Sequence, residues 1–421
     1  MTKEIIILLI LLIVAVLLYS SSWIGITATS MLILAVLYVT GIVDASDLFA
    51  NFINSSTLLV IFMFVISGAL LQSGASALIG RFMLWKVSSE KQLAMRFLLI
   101  SMILSAFFSN MATAVVVVTF AVGITQTHPQ YRLPKLSMFI SAGSILGGML
   151  TIIGVSGNVM VRSVLEEAGV GTIGFWDFGK IGLPLCIAGY IYMYFAGYRL
   201  APSEAAGYSQ NIPNSEETNY NRRKCIFSIV VFALVVVGMM LENVIGIPIQ
   251  ITAFLGCLVL IVSGVVSEKE AFSYINWPTT IMFASLLTLG NAVSASGAAT
   301  LISENFLQLF PEGTNTTLIL TAFFVIIAIL TQFMSNGATS AVFYPIGLSM
   351  AQMINVNPTA VLMMVCVAAA SSFATPMATP LNAYLMSVSG CKFSDYMKVG
   401  LPLLVVTTVI CVLLCPIIWR L

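Results

Sequence analysis

The chain has 421 residues, 59% hydrophobic and only 8% charged, with a formal net charge of +1. A soluble globular chain carries roughly 25% charged residues, so this composition excludes a soluble enzyme and a disordered chain. The near-zero net charge leaves no basic field for nucleic acid.

Apolar segments of bilayer-spanning length recur from the start. Ile5–Tyr19 follows Lys3 and ends at Ser20-Ser21-Ser22 with no small-residue cleavage pattern, so it reads as a first transmembrane helix. Segments at 23–43, 55–73, 97–126, 136–161 and 179–198 follow. Between them, Ser76–Lys91 mixes Leu78, Phe82, Leu84 and Trp85 with Arg81 and Lys86, the pattern of a helix lying in the membrane interface. The longest hydrophilic run, Ala201–Lys224, reads as a connector. The series then resumes at 225–241, 247–266, 277–298, 317–350, 358–387 and 399–419. Seven cysteines are scattered without a CxxC pair, and the one histidine, His128, sits in a polar loop. Neither a metal site nor a histidine-based triad is expected.

The two halves repeat. Ser109-Asn110-Met111-Ala112-Thr113 recurs 226 residues later as Ser335-Asn336-Gly337-Ala338-Thr339. TIIGVSGN (Thr151 to Asn158) recurs 224 residues later as TPMATPLN (Thr375 to Asn382). Two polar islands, in one order and at one spacing, mark an internal repeat.

Charge sets the topology. With a tip at Ser109-Asn110, the segment 97–126 splits into arms of 12–16 residues, too short to span. It then reads as a re-entrant hairpin whose flanks share one side. Arg81, Lys86, Lys91 and Arg96 precede it and Arg132 and Lys135 follow it, so both flanks face the cytoplasm. Propagation gives ten spanning helices and two hairpins, with 13 Lys/Arg inside and four outside. Each half crosses five times, so the repeats are inverted and both termini are extracytoplasmic. The fold class expected is an all-α polytopic membrane protein: two inverted repeats, each of five transmembrane helices plus one re-entrant hairpin, a transporter architecture.

Backbone breaks inside an apolar segment must be buried or line a cavity. Breaks are expected at Ser109-Asn110, Gly154–Asn158, Ser335-Asn336-Gly337 and Pro376–Asn382, where Gly and Pro interrupt helices. Half-helix N-termini offer N–H groups to an anion, and carbonyl, amide and hydroxyl oxygens suit a small hard cation. Every Asp and Glu is placed in a loop or at a helix end, and no intramembrane carboxylate, His, Lys or Arg is evident. Proton carriers usually keep one, so coupling to Na⁺ held by neutral oxygens is favoured. A proton-coupled or exchange carrier is the nearest alternative and an ion channel the next. An enzyme is excluded, because neither tip serine has a base nearby.

The chain resembles the divalent anion/sodium symporter family of the ion-transporter superfamily, whose members carry dicarboxylates, citrate and sulfate. SNMAT, SNGAT, GGMLTIIGVSGN (147–158), SSFATPMATPLN (371–382) and FSDYMKVGLPL (393–403) carry the resemblance, over nearly the full length. It implies a homodimer in a bacterial-type inner membrane that imports a small anion with Na⁺ by an elevator movement. The implied layout is an N-terminal repeat 1–200, with scaffold helices 1–96 and hairpin and broken helix 97–161. A cytoplasmic connector 201–223 leads to a C-terminal repeat 224–421, with scaffold 224–298 and hairpin and broken helix 317–387. One Na⁺ would meet Ser105, Ser109, Asn110 and the Gly154 backbone. A second would meet Thr331, Ser335, Asn336 and the Ala378 backbone. Substrate would meet Asn110, Met111, Asn336, Gly337, Thr379 and Pro380, with Thr151, Asn158, Thr375 and Asn382 supporting the broken helices. The family's third tip residue, threonine, is here Met111 and Gly337. Gly337 is expected to leave room and Met111 to make one side less polar.

Overall fold

The computed structural model describes residues 2–21, 24–75, 87, 89–203 and 222–420. Among these the chain is helical, without strands. Residues 76–86 and 88 of the proposed interfacial stretch Ser76–Lys91, and residues 204–221 of the connector, lie outside the described residues.

The first half runs through α1 (Lys3–Ser21), α2 (Ile26–Val39), α3 (Ser55–Leu70), α4 (Glu90–Ser105), α5 (Asn110–Thr127), α6 (Leu133–Gly148), α7 (Ser156–Glu167) and α8 (Phe175–Tyr192). The second runs through α9 (Arg222–Met240), α10 (Ile249–Val262), α11 (Trp277–Ala295), α12 (Ala298–Leu307), α13 (Thr316–Leu330), α14 (Asn336–Met353), α15 (Pro358–Ala370), α16 (Pro380–Ser389) and α17 (Phe393–Trp419). Stretches Ala45–Ser73, Asn110–Thr127, Phe175–Leu200, Arg222–Met240 and Phe393–Trp419 are each long and apolar enough to cross a bilayer. Helices α11 and α12 bend 69° apart, at Gly297, whose φ of +79° suits a residue without Cβ.

Two packing groups arise. In one, α4, α5, α8 and α16 surround α6, and α7, α13, α14 and α17 surround α15. In the other, α2 packs on α11, and α3, α9 and α10 pack together. The groups meet mainly where α14 touches α11 and α12 and where α7 touches α3. Helix α6 is buried along its whole length, and α15 from Ala360 to Ala370. Glycines make the α6 packing close: a Cβ on Gly143 would lie 2.4 Å from the Leu98 carbonyl, and one on Gly147 2.2 Å from the Met102 carbonyl. Helix α1 buries Leu8, Leu11, Leu12 and Ala15 in the same body.

Boundaries depart from the expected ones in two places. The hairpin arms are α4 and α5, of 16 and 18 residues, because Ser89 caps α4 by accepting from Gln92 N and so starts it before the apolar run. Arm length alone therefore does not exclude a span. The unwound stretches are 149–155 and 371–379. Asn158 and Asn382 thus stand in the first turns of α7 and α16, rather than inside the breaks.

Those asparagines hold the breaks. Asn158 Nδ2 donates to the carbonyls of Gly148 (2.9 Å) and Thr151 (2.7 Å). Asn382 Nδ2 donates to the carbonyls of Ser372 (3.0 Å) and Thr375 (3.0 Å). The three partners shift together by 224 residues. Each amide oxygen is held from the other half: Cys366 Sγ donates to Asn158 Oδ1 (3.1 Å) and Ser141 Oγ to Asn382 Oδ1 (2.6 Å). Replacing Asn382 by leucine takes the side-chain donor from the Ser372 and Thr375 carbonyls, and replacing Asn158 takes it from those of Gly148 and Thr151, the latter keeping only a 3.3 Å bond from Gly154 N. A buried carbonyl left unpaired costs about 1–3 kcal/mol. Asn158→Leu and Asn382→Leu should each lower the thermal unfolding midpoint in detergent markedly; an unchanged midpoint would refute this role.

Candidate functional site

Each hairpin turns at a serine that caps the second arm. Ser109 Oγ accepts from Ala112 N (3.3 Å) and Ser335 Oγ from Ala338 N (3.4 Å). The asparagine that follows turns back to the hydroxyl one turn before the break. Ser105 Oγ donates to Asn110 Oδ1 (2.7 Å) and Thr331 Oγ1 to Asn336 Oδ1 (3.3 Å). The broken helix clamps the tip from behind: Thr151 Oγ1 donates to the Ala106 carbonyl and Thr375 Oγ1 to the Gln332 carbonyl. Tip and break are thus one bonded unit in each half. Gly148 permits the close approach in the first, since a Cβ there would lie 2.6 Å from Asn110 Oδ1.

Both units face one cavity of about 450 Å³. Of the residues proposed from sequence, Ser109, Asn110, Met111, Gly154, Ser335, Asn336, Gly337, Ala378, Thr379 and Pro380 line it. Ser105 and Thr331 are fully buried behind the tips and do not. Thr151, Asn158, Thr375 and Asn382 do not line it either; the bonds their side chains donate go to backbone carbonyls. Thr113 and Thr339 are also buried away from the cavity.

Four helices begin at this cavity: α5 at Asn110, α7 at Ser156, α14 at Asn336 and α16 at Pro380. The N–H groups of Asn110, Met111, Ser156, Gly157, Asn336, Gly337 and Leu381 have no carbonyl one turn back in their own helices. Such helix starts carry partial positive charge, and Asn110, Met111, Ser156, Asn336, Gly337 and Leu381 all line the one volume. Among the described residues, none that lines the cavity is ionisable. The opposite wall comes from the other packing group and is largely apolar, with Leu59, Val60, Met63 and Phe64 of α3 and Met282 of α11.

Several lining residues escaped the sequence reading. Ser156 is one, and the 224-residue offset applied to Pro380 would have found it. Asn276 and Thr279 at the start of α11 are others; FINSST (52–57) recurs as YINWPT (274–279) at an offset of 222, which pairs them with Asn54 and Thr57. Gln332 is another kind of omission: buried beside the second tip, it donates to the Ala328 (2.7 Å) and Ser371 (2.8 Å) carbonyls and accepts from Ala374 N (2.9 Å). The room expected at Gly337 is not free. A Cβ there would lie 3.0 Å from Met282 Cε and 3.7 Å from Ser156 Oγ. Arg162, just beyond the apolar segment 136–161, sits within α7, with its side chain 13% exposed and its guanidinium paired to Glu242.

A family model described as citrate transporter (CitMHS) matches residues 7–249 and 239–421. The chain belongs to that family. It is therefore an integral membrane transporter and not an enzyme, in line with the resemblance to the divalent anion/sodium symporters. An uncharacterized transporter of Haemophilus influenzae is 26% identical over 422 residues, covering 93% of this chain and 87% of that one. The sodium-dependent dicarboxylate transporter SdcS of Staphylococcus saprophyticus is 22% identical, covering 92% and 82%. An uncharacterized transporter of Synechocystis is 29% identical over 188 residues, but that match takes in only 30% of its length. The crystal structure of the YdaH transporter of Alcanivorax borkumensis shares the fold, with a TM-score of 0.62 at 13% identity over 88% of this chain and 85% of that one.

Gly337→Thr should push Met282 aside and weaken binding of a cavity ligand about tenfold, the scale of a misfitted methylene in a pocket. Met282→Ala in the same chain should recover most of the loss. Thermal-shift titration reads both; an equal loss in single and double variants would show that the two side chains do not share that volume.

Proposed function

We propose that the chain imports a small anion, of dicarboxylate or sulfate type, together with Na⁺. The observation that carries this reading is the convergence of four helix N-termini on a cavity with no ionisable lining. An anion there finds N–H groups and dipole ends. It finds no side-chain base to compete for it and no carboxylate to relay protons.

Two Na⁺ ions complete the site in this reading. The first binds Ser105, Ser109, Asn110 and the Gly154 backbone. The second binds Thr331, Ser335, Asn336 and the Ala378 backbone. Each set brings amide and hydroxyl oxygens to within a hydrogen bond of each other, the hard neutral donors that a small cation takes. Asn110, Met111, Asn336, Gly337, Thr379, Pro380 and Ser156 then face the anion. Ion binding replaces the hydroxyl-to-amide bond at each tip and so orders the cavity for its second ligand.

The movement we infer is of elevator type. The group around α6 and α15 carries the site, and the group of α1–α3 and α9–α12 is the scaffold. Support comes from the division of the cavity wall: the helix starts and tip amides lie on the first side, and the second is largely apolar apart from Ser67, Asn276 and Thr279, a face along which a filled site can slide. The two halves, 1–200 and 224–421, are read as inverted repeats, and the protein as a homodimer in a bacterial-type inner membrane with both termini outside. The sodium dependence in the name of the Staphylococcus relative agrees with the coupling ion.

Asn110→Ala and Asn336→Ala should each abolish Na⁺-driven uptake in proteoliposomes while the unfolding midpoint stays near that of the parent. Imposing Na⁺ and proton gradients separately tests the coupling; uptake driven by protons alone would replace Na⁺ with H⁺. A screen of anions by thermal shift names the substrate, since a ligand at 100 times its Kd stabilises by about 2.7 kcal/mol. Only one that needs Na⁺ fits.

A further inference from the structure

The cavity lies against the middle of α3 and the N-terminal ends of α7 and α11. It is lined by Leu59 to Ser67 of α3, by Ser156 and Val159 of α7, and by the first turns of α11 with Asn276. Beyond it, at the C-terminal ends of α7 and α11 and the first turn of α3, stands a polar cluster. Arg162 of α7 forms a two-pronged pair with Glu242, through Nη1 to Oε2 (3.0 Å) and Nη2 to Oε1 (2.9 Å). Ser163 Oγ donates to Ser56 Oγ, in the first turn of α3. Glu167, the last residue of α7, accepts from Asn54 Nδ2 (3.1 Å) and from the side chain of Asn291, near the end of α11.

All of these bonds join the two packing groups. Arg162, Ser163 and Glu167 belong with the proposed moving group; Ser56, Asn54, Glu242 and Asn291 belong with the other. Helix α7 is therefore a strut, with its N-terminus in the cavity and its C-terminal half tied down. We propose that these bonds form a latch that closes the molecule at the end away from the cavity, and that it must open for the site to face the opposite side. The inference rests on the transport reading above.

Chemistry suits the role. The Arg162–Glu242 side chains are 13% and 16% exposed, so the pair is substantially shielded and its two-pronged geometry gives it strength. When the end opens, every group in the seam regains water. An apolar seam would expose oily surface at that moment; a polar one does not. Burial raises the Glu167 carboxyl above the ordinary carboxylate range, although Asn291 and Asn54 lower it, as expected of a group enclosed only while the latch is shut.

Cysteines at Ser56 and Ser163 test this in the full chain, against parent protein whose seven cysteines are buried. Oxidation of S56C/S163C should link the two and stop uptake, and reductant should restore it. Failure to link, or uptake by linked protein at the reduced rate, would overturn the latch. A second measurement needs no substrate. With S163C alone, Arg162→Gln or Glu242→Gln should speed labelling by a membrane-impermeant thiol reagent severalfold, and the exchanged pair Arg162→Glu/Glu242→Arg should slow it again. Unchanged labelling would also overturn the latch. Absence of Na⁺-driven uptake by the reduced protein would instead count against the transport reading.

Discussion

Everything at the cavity depends on satisfying interrupted backbone in a setting where water is scarce. An unwound stretch leaves carbonyls that cost more than a kilocalorie each if nothing pairs them. Asn158 and Asn382 pair two apiece and pass their own oxygens to Cys366 and Ser141 of the opposite half. The breaks are thus held by a reciprocal bond between halves. Because α7 and α16 start where those breaks end, the same asparagines aim two helix N-termini at the cavity. Thr151 and Thr375 then fasten the hairpin tips to the breaks, which aims the other two. One local accounting rule, applied twice, produces the whole convergence.

That arrangement explains how the proposed anion site can do without a cationic side chain. Helix ends supply partial charge that cannot be protonated and does not hop between rotamers. Its strength is fixed by backbone that the asparagines hold in place. Neutral amide and hydroxyl oxygens beside it suit an ion with no preference for nitrogen or sulfur. Three ionisable groups, Arg162, Glu242 and Glu167, stand instead at the far end of α7, where they tie the two packing groups together.

Much of this was legible because the motif is repeated. The tips recur at an offset of 226 and the breaks at 224, so their pairing could be read without coordinates. Membership of a transporter family followed the same residues. What could not be read was anything decided across the repeats. Ser156 carries no signal of its own, since its partner in the other half is a proline. Arg162 and Glu242 are 80 residues apart and look like loop charges. Glycine at 337 suggests space until Met282 is seen to take it. Helix α4 starts early because one serine caps it, a choice invisible to hydropathy.

The two tips, finally, are held unequally. At the second, Thr331 reaches both Asn336 and the Ala369 carbonyl (2.5 Å), and Gln332 adds three further bonds to the neighbouring helix and break. Thr339 also finds the Ser335 carbonyl (3.2 Å). The first tip has Ala106 where the second has Gln332, and the Thr113 hydroxyl is buried there without a hydrogen-bond partner, as is that of Ser144, one turn before Gly148. A buried hydroxyl without a partner is costly until something accepts or supplies a bond. The repeat thus supplies two copies of one frame, and the residues that differ between them make the first copy the less satisfied of the two.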